Sequence, residues 1–336
     1  MALATAAVGA LPSHAAIGIV APVLLFLLRA IQGFSAGGEV ATAAVFVVEH
    51  APHGRRGSYG SWSTATLAAG VAAGLGAAAL LAIAVPQSAL YAGWWRLSFL
   101  LALPLGLIGV WLRVRQADTP GFRAVSEAGL IARRPVQDSL RHCQPQLVAA
   151  FAPMAAASLV FNTFFLFLPS HLATSGGIPL RQTLGTAVIG LAAAAVAAAV
   201  AGRISDTIGR RPIMVPGAIG LTALAFPMYM LAVHGSVAGL LVADIAIGLA
   251  VSAVVQPAYF SELFPTRLRA TAMSLTFGLA TALFGGTAPL ADLFLIGRTG
   301  SEAGPAIYCT VIALFAALSV LTVGETAFRP LPENRP

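Results

Sequence analysis

Lysine is absent from this chain, and charge of either sign is scarce. Its 19 Lys-plus-Arg positions are all arginine and face 12 acidic residues, so charged residues make up only 9% of the chain. Hydrophobic residues reach 58%, and the mean hydropathy is +0.87. Soluble domains carry about 25% charged and 45–50% apolar residues. A chain of 336 residues with so little charge cannot cover a surface in water, which excludes a soluble protein and points to a polytopic membrane protein. Cysteine is nearly missing too: Cys143 and Cys309 stand alone, with no C-x-x-C and no nearby histidine pair. That excludes a disulfide framework and a metal site. The first ten residues, MALATAAVGA, lack a basic n-region, so no secretory signal peptide is read there.

What the chain has is long apolar runs. A hydrocarbon core about 30 Å thick needs about 20 apolar residues per helix. Candidate spans fall near 17–48, 60–85, 95–114, 147–169, 184–202, 212–233, 237–261, 271–296 and 304–323, after a short apolar stub at 1–11. Arginine orients them. The connections near 50–57, 113–145, 203–211 and 262–269 and the tail 329–335 hold nearly all the loop arginines, including Arg335. The alternate connections hold only Arg181 and Arg298. The positive-inside rule makes the first set cytoplasmic, together with the C-terminus. The formal net charge of +7 is therefore read as topology, and no nucleic-acid partner is expected.

An internal repeat organises the spans. EHAPHGRRGSYGS (49–61) and ELFPTRLRATAMS (262–274) align at an offset of 213 residues, pairing Glu49 with Glu262, Pro52 with Pro265, Arg56 with Arg269 and Ser61 with Ser274. Both copies follow one apolar span and precede another in the same orientation, so the repeat is parallel. The loop GRISDTIGRRP (202–212) has its counterpart, by the same offset, before Met1. The symmetry thus predicts about two and a half further helices at the start, from a misassigned start or a truncated gene.

These residues carry a resemblance. GRISDTIGRRP resembles the G-x-x-x-D-x-x-G-R-R loop signature of the major facilitator superfamily, although Thr207 and Ile208 replace its usual basic and aromatic residues. RAIQGFSAGGEV (29–40), VVEHAPHGRRGSYGSW (47–62), GWWRLSFLLALPLGLIGVWLR (93–113), DTPGF (118–122) and ELFPTRLRAT (262–271) resemble the metabolite:proton symporters. That group includes proline/betaine, citrate, 2-oxoglutarate and shikimate carriers. The resemblance implies an all-α major facilitator fold of two six-helix halves, rocking about a central cavity and coupling inward proton flow to solute uptake. The expected organisation is an incomplete N-terminal half at 1–114, a cytoplasmic linker at 115–145 and a six-helix half at 146–336.

Residues within the spans are open to two readings. Gly33-Phe34-Ser35-Ala36-Gly37 fits G-x-S-x-G, but a nucleophile elbow requires a strand, a turn and a helix with His and Asp partners. Here the match sits in one apolar helix, so Gly33, Gly37 and Gly38, with Gly70 and Gly74 in the next span, read as close-packing positions. Glu39 lies about 15 Å up its helix from Glu49 and Arg29 about as far again. An ionisable group at that depth is a functional candidate. Glu39 reads as a proton acceptor or as a hydrogen-bonding partner, and Arg29 as an anion-attracting group or as a snorkelling one. Asp244 is a second proton-site candidate, Asn162 a solute contact or a packing residue, and Asp292 is expected to be interfacial. Gln256-Pro257 predicts a kink beside Tyr259.

The loop motifs read as a mechanical gate. Asp206 is expected to pair with Arg210 or to cap a neighbouring helix. Glu49 with Arg55 and Arg56, and Glu262 with Arg267 and Arg269, read as paired latches related by the repeat, and Asp206, Arg210 and Arg211 belong to the same expected gate. The alternative is plain positive-inside topology.

The sequence therefore predicts a carrier of a small polar metabolite, an organic acid or a zwitterion, with the proton as coupling ion and no other cofactor. The expected setting is multi-pass in the plasma membrane, as a monomer in the lipid bilayer. An exporter of the same fold is the nearest rival, although the next span lacks its Gly-Pro element; a non-functional fragment is another. An intramembrane enzyme would need H-E-x-x-H, paired aspartates or a Ser-His arrangement, and none is apparent.

Overall fold

Every long apolar run forms a helix, because a backbone in hydrocarbon must satisfy its own N–H and C=O groups. In the computed structural model, which describes residues 1–336 apart from 117, 235, 323, 330 and 332–336, no strand occurs among the described residues. Arg335 of the tail lies outside them. After α1 (Ala2–Ala10) come three long elements: α2 (Val20–Glu49), α3 (Arg56–Ala84) and α4 (Ala92–Val114). Two short amphipathic helices follow in the polar stretch, α5 (Pro120–Glu127) and α6 (Pro135–His142). Six spans complete the chain: α7 (Gln144–Thr174), α8 (Leu180–Ile208), α9 (Arg211–His234), α10 (Val237–Glu262), α11 (Thr266–Thr299) and α12 (Ala303–Thr322). Among the described residues, 9 helices are long and apolar enough to cross a membrane, at the positions that the hydropathy pattern marks.

Local sequence explains the interruptions. Pro257 cannot donate a backbone bond, and α10 breaks between Val254 and Pro257, where the kink is expected. Gly209 ends α8 at φ 103°, a conformation open to glycine and costly to other residues. Two spans contain a π-turn, α7 at Thr163–Phe167 and α11 at Thr281–Gly285. Such single turns widen a helix locally and recur at functional sites.

The core sits in the second half. Leu159, Phe164 and Leu168 of α7 pack with Leu191 of α8, Ala218 and Tyr229 of α9, Ile247 of α10 and Cys309 of α12, all fully buried. Outward faces are apolar instead: Ile189, Val196, Leu290 and Phe315 are exposed. A helix apolar all round fits a bilayer rather than water. The two halves meet along α3 against α8 and α2 against α11. Those two contacts bring the loop motifs together.

Candidate functional site

At the arginine-rich end the repeat copies interlock across the halves. Asp206, in the last turn of α8, reaches the first turn of α3. Its Oδ1 accepts from Gly57 N (2.7 Å), and its Oδ2 accepts from Ser58 N (2.7 Å) and Ser58 Oγ (2.7 Å). The first N–H groups of a helix have no partners of their own and attract negative charge. Asp206 thus caps a helix of the other half, and it also pairs with Arg210 Nη1 at 2.9 Å.

Arg210 is 1% exposed. Its Nη2 and Nε reach Glu262 at 3.1 and 3.4 Å, and its Nη1 donates to Ser205 Oγ at 2.7 Å. Burial opposes its charge, but Glu262 and Asp206 outweigh that and hold the guanidinium above its usual value. Glu262 also faces Arg56 of the first half (3.9 Å) and accepts from Thr326 Oγ1 (2.6 Å). Arg269 is fully buried and pairs with Glu49 across the halves, while its Nε donates to the Ser261 and Phe264 carbonyls at 2.8 and 3.2 Å.

This corrects the expected latch partners. Glu49 pairs with Arg269 rather than Arg55 or Arg56, and Glu262 with Arg210 and Arg56 rather than Arg267 or Arg269. The reason is geometric: each glutamate ends a helix facing the opposite half, so the repeat exchanges partners. Arg55 is exposed, and Arg267 lies in the first turn of α11 near Cys143. Arg211 donates from Nη2 to the Leu321 carbonyl (2.9 Å), and its N–H donates to Glu325 (3.0 Å).

Glycines admit this closeness, though not the expected ones. A Cβ on Gly57 would stand 2.4 Å from the Gly202 carbonyl, and one on Gly202 would stand 2.4 Å from Ser61 Cβ. Gly37 is the exception: a Cβ there would stand 2.8 Å from Gly278 Cα. Gly33, Gly38, Gly70 and Gly74 meet nothing within 4 Å among the described residues, so they are not packing positions there. Their faces look away from the contacts that join the halves. Ser35 lies inside the continuous helix α2, with no strand-turn-helix around it.

The polar residues within the spans separate into two groups. Arg29 and Glu39 are exposed. Arg29 donates to Gln32 Oε1 (3.2 Å), and Glu39 borders a cavity of about 580 Å³ with Thr42, Glu49, Arg113 and Asp118. Asn162 donates to the Ser158 carbonyl one turn back (2.8 Å) and abuts Gly285 of the α11 π-turn. Asp244 is fully buried, pressed against Gly190 of α8, with no hydrogen-bond partner on either oxygen among the described residues. The adjacent Thr186 hydroxyl donates instead to the Thr183 carbonyl at 2.9 Å.

Asp292, expected at the interface, is fully buried within the protein, where its Oδ2 accepts from Thr163 Oγ1 at 2.8 Å. The π-turn in α7 begins at Thr163, and α11 and α12 close around the pair. Toward the arginine-poor end, His171 Nε2 meets Glu302 Oε1 at 2.9 Å, and Tyr229 OH donates to Glu302 Oε2 at 3.4 Å. These partners lie 131 and 73 residues apart, and no sequence motif joins them.

The sequence profile of the Major Facilitator Superfamily matches residues 1–289. The glycine betaine/proline/ectoine/pipecolic acid transporter OusA of Dickeya dadantii (strain 3937) is 33% identical over 352 residues, covering 100% of this chain and 69% of that protein. The ectoine/proline transporter ProP of Corynebacterium glutamicum is 30% identical, with 98% and 69% covered. The proline/betaine transporter of Escherichia coli (strain K12) is 31% identical, with 100% and 69% covered. Among solved structures, the proton:xylose symporter XylE bound to 6-bromo-6-deoxy-D-glucose aligns with a TM-score of 0.71 at 17% identity. That alignment covers 98% of this chain and 80% of XylE, a likeness of fold. By profile, relatives and fold together, this chain belongs to the Major Facilitator Superfamily and is a membrane carrier, not an enzyme.

Proposed function

We propose that the chain carries a small zwitterion of the proline or betaine kind into the cell, with a proton as coupling ion, by alternating access. The observation that carries this reading is the exchange of partners between the repeat copies. Glu49–Arg269 and Glu262–Arg56 tie one half to the other at a single end, and Asp206 adds a cap across the same seam. The polar contacts across the seam gather at this end, where they hold it shut and must part when it opens. Such pairs act as a two-state latch, which is what a rocking carrier requires. Glu49, Arg56, Asp206, Arg210, Glu262 and Arg269 form the latch, with Arg55, Arg211 and Arg267 on its rim.

On this reading the latch faces the cytoplasm, as the arginine asymmetry demands. The C-terminus lies on the same side, and the carrier is a plasma-membrane monomer without a resident cofactor. Residues 115–145 link the halves 1–114 and 146–336. Arg29, Glu39, Asn162 and Asp244 are the candidates for the solute and proton pathway. The names of the relatives support the solute class.

The test is uptake of radiolabelled proline and glycine betaine by cells lacking their own carriers, under an imposed pH gradient. Accumulation that a protonophore abolishes is the expected result. Accumulation indifferent to the protonophore would exclude proton coupling, and uptake of neither solute would exclude the solute class.

A further inference from the structure

One buried carboxylate lies within electrostatic reach of a polar cluster toward one end of the molecule. Asp292 is fully buried, its Oδ2 held by Thr163 and its Oδ1 without any partner among the described residues. A buried charge with an empty lone pair is costly, whereas a protonated carboxyl is far less so. Tyr229 stands within electrostatic reach of both Asp292 and Glu302, and its hydroxyl bonds to Glu302. Glu302 in turn meets His171, and their side chains are 24% and 10% exposed. Exposure therefore falls from the His171–Glu302 rim to the fully buried Tyr229 and Asp292. About 10 Å of helix separates Asp292 from the end of α11 at Thr299.

Local backbone supports the same site. Thr163 opens the π-turn of α7, and Asn162 beside it abuts Gly285, which ends the π-turn of α11. Single π-turns recur at functional sites, and Asn162 brings these two near each other. The other buried aspartate, Asp244, has no such polar cluster beside it among the described residues. Gly190 presses on it, and Thr186 is its polar neighbour.

We infer that Asp292, oriented by Thr163 and reached from the arginine-poor end through His171, Glu302 and Tyr229, is the side chain that takes up the coupling proton. The inference rests on the proton-coupled reading above. The proton arrives from water at the His171–Glu302 rim and binds the Asp292 carboxylate. It returns to water when the arginine-rich end opens. The groups near Asp292 are the Thr163 hydroxyl of α7, His171 in the last turn of α7, Tyr229 of α9, and Tyr308 and Cys309 of α12, while Glu302 in the loop before α12 lies one step further, against His171 and Tyr229. Arg298, on the same helix as Asp292, lies over the Phe294 ring instead.

The experiment measures solute-induced proton entry, read as alkalinisation of a lightly buffered cell suspension, alongside solute counterflow. Asp292→Asn should lower solute-induced proton entry by at least about tenfold, the scale of one coupling interaction, while exchanging solute in counterflow. Asp292→Glu should restore proton entry. Wild-type proton entry in Asp292→Asn would overturn the inference. Should Asp292→Asn fail to reach the membrane, Thr163→Val decides. It leaves the carboxyl in place and should move the pH profile of uptake, and an unmoved profile overturns the inference. A wild-type protein that transports without proton entry would sink the proton-coupled reading itself, a separate failure.

Discussion

Ser58 donates twice to Asp206, from its backbone N–H and from its hydroxyl, each at 2.7 Å, across the seam between the halves. With Gly57 N on the other oxygen, one carboxylate occupies the exposed donors of a helix to which it does not belong. Charge-assisted bonds of this kind contribute about 1.5–3 kcal/mol each. Asp206→Asn keeps the shape but loses the charge that serves both the cap and Arg210. The closed arrangement at this end should weaken about ten- to hundredfold relative to the open one. Labelling of a single cysteine placed near this seam should speed up accordingly, and an unchanged labelling rate would deny Asp206 any part in closure.

Glu49 and Arg269 form the deepest of the crossed pairs, with side chains 5% and 0% exposed. Breaking a buried pair by removing one partner costs about 3–5 kcal/mol, because the survivor is left charged and unsolvated. Glu49→Gln and Arg269→Gln should therefore each abolish most uptake. The exchange Glu49→Arg with Arg269→Glu should recover part of it, because the pair is re-formed in reverse. Recovery will be incomplete, since Arg269 Nε also serves the Ser261 and Phe264 carbonyls and a glutamate there cannot. A double variant no better than its worse parent would show that the two residues act separately.

The glycines give a prediction with its own control. A methyl on Gly57 or Gly202 would meet backbone or Cβ atoms of the opposite helix at 2.4–2.5 Å, and neither can swing away. Overpacking of this kind costs about 1–3 kcal/mol and acts on the closed arrangement alone. Gly57→Ala and Gly202→Ala should reduce uptake about tenfold or more while the protein stays in the membrane. Gly70→Ala and Gly74→Ala add a methyl where nothing lies within 4 Å, and they gain up to about 1 kcal/mol of helix propensity. Uptake by those two should match the wild type. Equal loss in all four would mean that helix propensity, not contact, decides.

The sequence made the spans legible because hydropathy is a local property and the bilayer fixes its length scale. It made the charged residues that meet at the seam legible because the repeat preserves Glu-Pro-Arg spacing. Their partners were not legible: pairing within a loop is the default reading, and only the facing of α2 on α11 and α3 on α8 exchanges them. The expected packing glycines other than Gly37 failed for a related reason. Gly33 and Gly74 match a small-residue pattern, but the pattern does not say which face meets a neighbour. The burial of Asp292 was not legible, because its place along a helix does not say which face meets a neighbour. The π-turns at Thr163 and Thr281 leave no mark in composition either. His171, Glu302 and Tyr229 carried no signal, because each is unremarkable alone and the cluster exists only in the fold.

Glu325, beyond the last span, gives the pH dependence. It accepts from the N–H groups of Arg210 (2.9 Å), Arg211 (3.0 Å), Thr326 (2.9 Å) and Ala327 (2.9 Å), and so pins the segment after α12 onto the latch. Burial alone would raise this carboxyl. The four backbone donors prevail and hold it below its ordinary value of 4.5. A depressed carboxyl favours the docked segment at any pH above its ordinary value, and the advantage fades as pH falls from there through the docked value. Exchange of the Arg210 and Arg211 amide hydrogens, corrected for the intrinsic pH dependence of exchange, should therefore be slow and flat from pH 8 to pH 5. Below about pH 4.5 it should accelerate as the carboxyl takes its proton. Glu325→Gln should exchange faster at neutral pH and lose most of the acid response, since its amide carries no charge to titrate. If the two amides exchange alike in wild type and Glu325→Gln across this range, Glu325 does not hold the segment.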